Sequence, residues 1–328
     1  MSENEEVKSS VLALDALNLI GRAVDTSSTG DEIAHATTLL EEMLATQEDY
    51  RKNGLPAAEM QAFQAEEQTY FRPNGEQYFV RKLGMHDDVQ VLHQARINGL
   101  PILITGPPGT GKTALIEAAF GHIYTVQGNG DTDTADFIGS FTPAPGGDFL
   151  WVDGPLLRAM EEGKGLYIDE IALIDPKVMA VVYSVMDGRN ELEITQNPDR
   201  GIVKAQEGFY IIAACNPNAP GANLSEAILS RFLLQFEVHT DYTLARSMGV
   251  AQRMVTAAEN LQSKVKSNLV GWAPQLRECL AFKRISDLLG EDVAVRNLIA
   301  TAPESDRDTV QQVVQEAFGK EFTALSIS

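Results

Sequence analysis

The chain has 328 residues, more than one typical domain, and 44% are hydrophobic against 22% charged, a globular mixture able to bury a real core. A formal net charge of −20 weighs against nucleic-acid binding through the general surface. No apolar run approaches the ~18 residues that span a membrane, and the acidic start Met1-Ser-Glu-Asn-Glu-Glu lacks a signal peptide's basic and apolar stretches, so a cytoplasmic location is expected.

Cys215 and Cys279 cannot build a disulfide framework, and the five histidines show no metal-ligand spacing, so no structural metal is expected. Residues 1–70 hold 4 basic and 14 acidic side chains and read as a helical, acidic segment. Thr29 and Glu32 have capping-box spacing ahead of Ile33, Ala36, Leu40 and Met43, and a further short helix is expected over 57–67. Residues 71–98 look like a connector feeding a helix that stops near Asn98-Gly99.

From Leu100 the pattern changes. Apolar runs predict strands at Ile102–Thr105, Ile123–Gln127, Leu166–Ile168, Phe209–Ala214 and Leu233–Val238. Helices are predicted between them at Thr113–Phe120, Pro155–Glu162 and Pro176–Met186. The last has Asp175 as N-cap and an apolar face of Val178, Met179, Val182, Val185 and Met186. Such alternation predicts an α/β fold, a parallel sheet with helices on both faces. Phe137–Val152 and residues 190–208 read as two inserted hairpins. After Thr240 strand signals stop. The expected division is therefore 1–70 helical, 71–240 α/β core and 241–328 helical.

Gly106-Pro107-Pro108-Gly109-Thr110-Gly111-Lys112-Thr113 fits G-x-x-x-x-G-K-[ST], between a predicted strand and a predicted helix. Glycines permit close backbone approach, and loop amides with the helix N-terminus can cradle phosphate oxygens. Lys112 would neutralise the β- and γ-phosphates of ATP, and the Thr113 hydroxyl would ligate Mg²⁺. About 55 residues on, the apolar run Leu166-Tyr-Ile ends in Asp169-Glu170. Asp169 would hold Mg²⁺ through its water shell, and Glu170 would act as general base on the attacking water.

Asn216 follows a central strand, where its amide can hold that water; residue type alone favours a turn-forming Asn before Pro217. Arg231 ends a short helix, placed either to reach a neighbouring subunit's γ-phosphate or as an ordinary surface arginine. Cys215 reads as a small buried core residue.

These elements together resemble the AAA+ superfamily, and in it the MoxR-like ATPases, the branch of CbbQ, GvpN and the cobaltochelatase ATPase subunit. The resemblance rests on residues 106–113, DFIG at 136–139, the run 151–160, GLYIDEI at 165–171, AACNPN at 213–218 and EAILSRF at 226–232, and covers roughly 70–290. It implies a P-loop AAA+ core with a C-terminal helical lid. Glu170 is then similar to the catalytic glutamate, Asn216 to sensor 1 and Arg231 to the arginine finger. For sensor 2, Arg277 in Trp272-Ala-Pro-Gln-Leu-Arg277 is the candidate, although Pro274-Gln275 replaces the family's Pro-Arg pair.

The resemblance further implies a ring homo-oligomer, a hexamer, that remodels a protein client, with the two hairpins either engaging that client or merely solvated. A von Willebrand factor A-domain protein is a candidate partner in trans. A DNA motor or loader, and an ATP-gated binding module with little turnover, are the alternatives. The acidic surface weighs against the former, and intact Glu170, Asn216 and Arg231 against the latter.

Overall fold

The structure, a computed structural model, describes residues 69–326. These belong to one compact unit, Thr69–Ser328. The predicted helices around Thr29–Met43 and over 57–67 lie outside the described residues.

Two small antiparallel pairs come first, β1 (Tyr70–Phe71) with β2 (Gln77–Tyr78) and β3 (Lys82–Leu83) with β4 (His86–Asp87). The helix Asp88–Ile97 follows and stops at Asn98, with Gly99 in the left-handed region at φ 62, where the sequence places the break. Then come β5 (Ile102–Thr105), the helix Lys112–Phe120, β6 (Tyr124–Gln127), the helix Thr134–Ile138, and a hairpin of β7 (Gly139–Pro143) with β8 (Phe149–Asp153). The helix Pro155–Glu162 leads to β9 (Gly165–Asp169). After the helix Ala180–Met186 a second hairpin pairs β10 (Glu191–Glu193) with β11 (Ile202–Lys204). β12 (Tyr210–Cys215), the helix Glu226–Leu229 and β13 (Leu234–Glu237) complete this part.

Five parallel strands form the central sheet in the order β13-β5-β12-β9-β6. Their side chains alternate between two apolar layers, as strand geometry requires. Leu103, Leu166, Ile168, Ile211 and Ala213 pack on Phe137, Leu156, Leu157 and Met160 on one face. Ile102, Ile104, Tyr167, Ile212 and Ala214 pack on Val89, Leu92, Leu115 and Ile116 on the other. Burial on both faces explains why these strands read as continuous apolar runs.

Most predicted starts lie within one residue of the observed ones, and two differ by more. The helix expected over Pro176–Met186 starts at Ala180. Asp175 Oδ1 accepts the Lys177 N–H at 2.8 Å, and Val178 N–H bonds back to Asp175 O at 2.9 Å, so the cap holds a turn rather than the first helical residues. Val182 and Val185 bury as the periodicity predicts. The hairpin expected from Phe137 starts at Gly139, because Phe137 and Ile138 close a helix capped reciprocally by Asp133 and Asp136.

Five helices follow β13: Tyr242–Ser247, Gln252–Lys266, Leu276–Leu289, Glu291–Thr301 and Arg307–Phe318. They enclose their own apolar cluster around Met254, Leu261, Phe282, Leu298 and Val314. No described helix is long and apolar enough to cross a membrane.

Two expectations can be measured. Gly139 has φ 105, and a Cβ there would lie 2.0 Å from Val152 O. Gly139→Ala should destabilise the protein by roughly 1–3 kcal/mol or more, seen as a lower urea midpoint. Burial pushes the Cys215 thiol up to about 11 and Cys279 up to about 12. Iodoacetamide at pH 7.5 should therefore spare both in the native protein and label both in urea. Fast native labelling of either would show that its core is open.

Candidate active site

The parallel strands end side by side, and the loops leaving them converge. In register, Thr105 of β5 faces Cys215 of β12, and Ala213 of β12 faces Ile168 of β9. Gly106, Asn216 and the pair Asp169-Glu170 therefore leave neighbouring strands at one edge. Ligands of open α/β sheets bind at this carboxyl edge.

The loop 106–111 owes its shape to glycine. Gly106, Gly109 and Gly111 have φ values of 143, 81 and 90. A Cβ at Gly106 would lie 2.3 Å from Val238 O, and one at Gly109 would lie 3.0 Å from Arg277 Cβ. Gly106 N–H donates to Cys215 O at 3.2 Å, tying the loop to β12. Thr110 is buried, and its hydroxyl donates to Pro107 O at 3.0 Å. Pro108 and Thr113 are exposed.

Lys112 opens the helix Lys112–Phe120 and is buried beneath the loop. Its ammonium donates to Gly106 O at 2.8 Å and Pro107 O at 3.0 Å. Burial draws its pKa below the usual lysine range, and the carboxylates of Glu170 and Asp169 partly oppose this. One helical step on, the Thr113 hydroxyl lies 3.4 Å from Tyr167 Oη. Burial first and Asp169 second push that tyrosine's pKa up.

Asp169 ends β9, and its Oδ1 accepts the Glu170 N–H at 3.0 Å. Glu170 has φ 49 and ψ 41, a left-handed conformation that costs a non-glycine residue about 1–2 kcal/mol. The surrounding structure holds it there, and Asn216 N–H donates to Glu170 Oε2 at 3.2 Å. Asn216 in turn accepts the Asn218 N–H at 3.1 Å. That bond is the Asn turn residue type alone suggests, beside the carboxylate rather than away from it. Strain of this kind gathers at functional positions.

Arg277 lies at the second position of the helix Leu276–Leu289. Its backbone N–H donates to Gly109 O at 3.0 Å, and its side chain is exposed beside the loop. Gln275 caps this helix. Its Oε1 accepts from Thr240 Oγ1 at 2.5 Å, and its N–H donates to Glu278 Oε2 at 2.8 Å. The residue standing where the family pattern has arginine thus joins the helix start to the end of the sheet region.

Arg231 is held elsewhere. Its Nη1 donates to Ala227 O at 2.8 Å, its Nε lies 3.4 Å from Asp187 Oδ1, and its guanidinium sits 4.4 Å from the Tyr183 ring centroid. Bonded to none of the loop, it sits with residues of the helix Ala180–Met186 and the turn after it.

Sequence reasoning missed Arg81. Its Nη1 donates to Thr110 O at 2.9 Å inside the glycine loop. Tyr78 and Asp88 hold its other nitrogens. Arg81 sits between strands two residues long, too short to give a periodic signal.

In chemical terms, the site offers a backbone cradle, a buried ammonium, and a hydroxyl and a carboxylate as hard oxygen donors. A second, strained carboxylate lies within reach of an Asn. That donor set suits a phosphate chain with a hard divalent cation, Thr113 and Asp169 being the oxygens of the right kind.

Comparison with known proteins agrees with this arrangement. A model of the AAA domain (dynein-related subfamily) matches residues 101–232. Protein NorQ of Paracoccus denitrificans is 37% identical over 135 residues, 40% of this chain and 49% of NorQ, so the chain spans about half of that relative's length. An uncharacterized protein of Staphylococcus aureus is 32% identical over 180 residues, 51% of this chain and 66% of the relative. One from Staphylococcus epidermidis is 28% identical over 261 residues, 72% of this chain and 95% of the relative. With the five-stranded parallel sheet and the glycine loop at its edge, residues 101–232 are similar to the AAA domain (dynein-related subfamily) and have an α/β fold of that kind.

Proposed function

We propose that this chain is an Mg²⁺-dependent ATPase that works as a ring, a hexamer, and uses hydrolysis to remodel a protein client. One observation carries the catalytic part of the reading: Glu170, strained and bonded to the backbone N–H of Asn216, stands at the strand edge beside the glycine loop. Residues 71–240 would be the ATPase core and 241–328 the lid.

In this reading the amides of Gly109 to Thr113 receive the β- and γ-phosphates. The Lys112 ammonium turns from the Gly106 and Pro107 carbonyls to phosphate oxygens of greater negative charge. Thr113 and, through water, Asp169 would hold Mg²⁺, which would offset phosphate charge. Glu170 Oε2 accepts the proton of the attacking water, and the Asn216 amide orients that water. Arg277 reaches the nucleotide from the lid.

Surface chemistry supports a protein client. The tip of the β7–β8 hairpin exposes Phe141, Phe149 and Leu150 to 50%, 68% and 62%. Arg200, from the loop of the β10–β11 hairpin, binds Asp153 of β8 at 2.7 Å and holds that carboxyl below the usual range. This pair ties the second hairpin to the base of the first, whose exposed apolar side chains suit a protein client. A von Willebrand factor A-domain protein acting in trans is a candidate partner. The net charge of −20 supports this reading over a DNA motor.

The chemistry can be tested by two substitutions. Lys112→Ala should abolish binding of a fluorescent ATP analogue. Glu170→Gln should keep binding and lose turnover by about 10²–10⁴-fold in phosphate release, because an amide cannot accept the proton. Normal hydrolysis by Glu170→Gln would remove Glu170 from the mechanism.

The ring requires a shared site. Arg231 is only partly exposed and is aimed by Tyr183 and Asp187, so we assign it to a neighbouring subunit's nucleotide. An arginine supplied in this way is worth on the order of 10³–10⁵ in rate. Specific activity should rise with protein concentration, and inactive Arg231→Ala mixed with inactive Glu170→Gln should regain some of it. A fully active Arg231→Ala protein would rule the assignment out.

A further inference from the structure

Outside the motifs, one buried polar cluster touches the glycine loop. Tyr78 and Asp88 are 7% and 4% exposed. Tyr78 Oη donates to Asp88 Oδ2 at 2.5 Å, and Arg81 Nε donates to the same oxygen at 3.2 Å. Arg81 Nη2 donates to Tyr78 Oη at 2.9 Å. Asp88 Oδ1 accepts the N–H of Val89 at 2.9 Å and of Arg81 at 3.2 Å, which locks the carboxylate onto the start of its helix. With these atoms taken, Arg81 extends one further nitrogen, Nη1, to Thr110 O at 2.9 Å.

A buried ion pair of this kind adds little net stability compared with apolar residues of the same volume. Its position is more telling than its energy. A peptide group is planar and trans, so its C=O and its N–H point to opposite sides. Among the described residues there are no cis peptide bonds. Arg81 fixes the carbonyl of the Thr110–Gly111 peptide, which turns the Gly111 N–H away from Arg81. The Arg277 N–H fixes the carbonyl of the preceding Gly109–Thr110 peptide in the same manner. Two consecutive loop peptides are therefore oriented from outside, one by the segment before the sheet and one by the C-terminal helices. Glycine at 109 and 111 has no intrinsic preference for these orientations over others.

We propose that Arg81 is a positioning residue for nucleotide phosphates: braced by Tyr78 and Asp88, it holds the Thr110–Gly111 peptide with its N–H turned to receive a phosphate oxygen. This rests on reading residues 106–113 as the ATP site. The effect belongs to ground-state and transition-state phosphates alike, so its loss should fall on KM and Kd more than on kcat.

The test uses the full chain with fluorescent ADP and ATP analogues, steady-state ATP hydrolysis, and thermal melting without nucleotide. Arg81→Ala should weaken both nucleotides by about tenfold or more, the scale of one lost charge-assisted hydrogen bond. KM should rise by a larger factor than kcat falls. Millimolar guanidinium should restore part of the binding in Arg81→Ala and none in Lys112→Ala. Arg81→Lys, which keeps a donor for Thr110 O but cannot engage both Tyr78 and Asp88, should fall between, and it serves if Arg81→Ala does not fold. Wild-type Kd values in folded Arg81→Ala or Arg81→Lys would overturn the inference while leaving the ATP site standing. So would a lower melting temperature with no change in Kd. A wild-type protein that bound neither analogue would overturn the reading of 106–113, and the inference with it.

Discussion

At Gly106 the chain leaves β5 through a gap with no space for a side chain. Val238 O would lie 2.3 Å from a Cβ there, while the Gly106 N–H is bonded to Cys215 O. The loop is thus clamped between Cys215, the last residue of β12, and Val238, the residue just past β13. The clamp exists because β5 sits between β12 and β13, strands that come later in the chain. Strand order therefore decides where the loop begins, and the loop's start decides where Lys112 and Thr113 fall.

Electrostatics at this edge are unequal by construction. Lys112 is buried and loses solvation, while Glu170 and Asp169 partly compensate. Cys215 lies in the same field. Burial, and the carboxylates after it, hold its thiol protonated. With its thiol held neutral, this edge is not arranged for thiol chemistry.

Much of this was legible in the sequence, for identifiable reasons. Strands buried on both faces give unbroken apolar runs, so Ile102–Thr105 was readable to the residue. The glycine loop was readable because positive φ restricts residue type at Gly106, Gly109 and Gly111. The helix start at Ala180 was not, because Asp175 caps a turn as readily as a helix. Arg81 was hidden for a deeper reason. Its bond to Thr110 spans 29 positions and its neighbouring strands are two residues long, so no local pattern marks it. Likewise, nothing near Arg231 in sequence reveals that Tyr183 and Asp187 hold its guanidinium.

The C-terminal helices have an apolar cluster of their own, and they meet the glycine loop through the Arg277 N–H on Gly109 O. Two cores joined by few bonds need not open together. If the C-terminal cluster loosens first, Arg277 leaves the loop, and the Gly109–Thr110 peptide is free to rotate. A ligand that needs this peptide in place then binds only the closed form. By linkage it must stabilise the docked C-terminal helices, by RT ln(1 + [L]/Kd). By the same linkage, the concentration of such a ligand would set the fraction of chains whose C-terminal helices are docked.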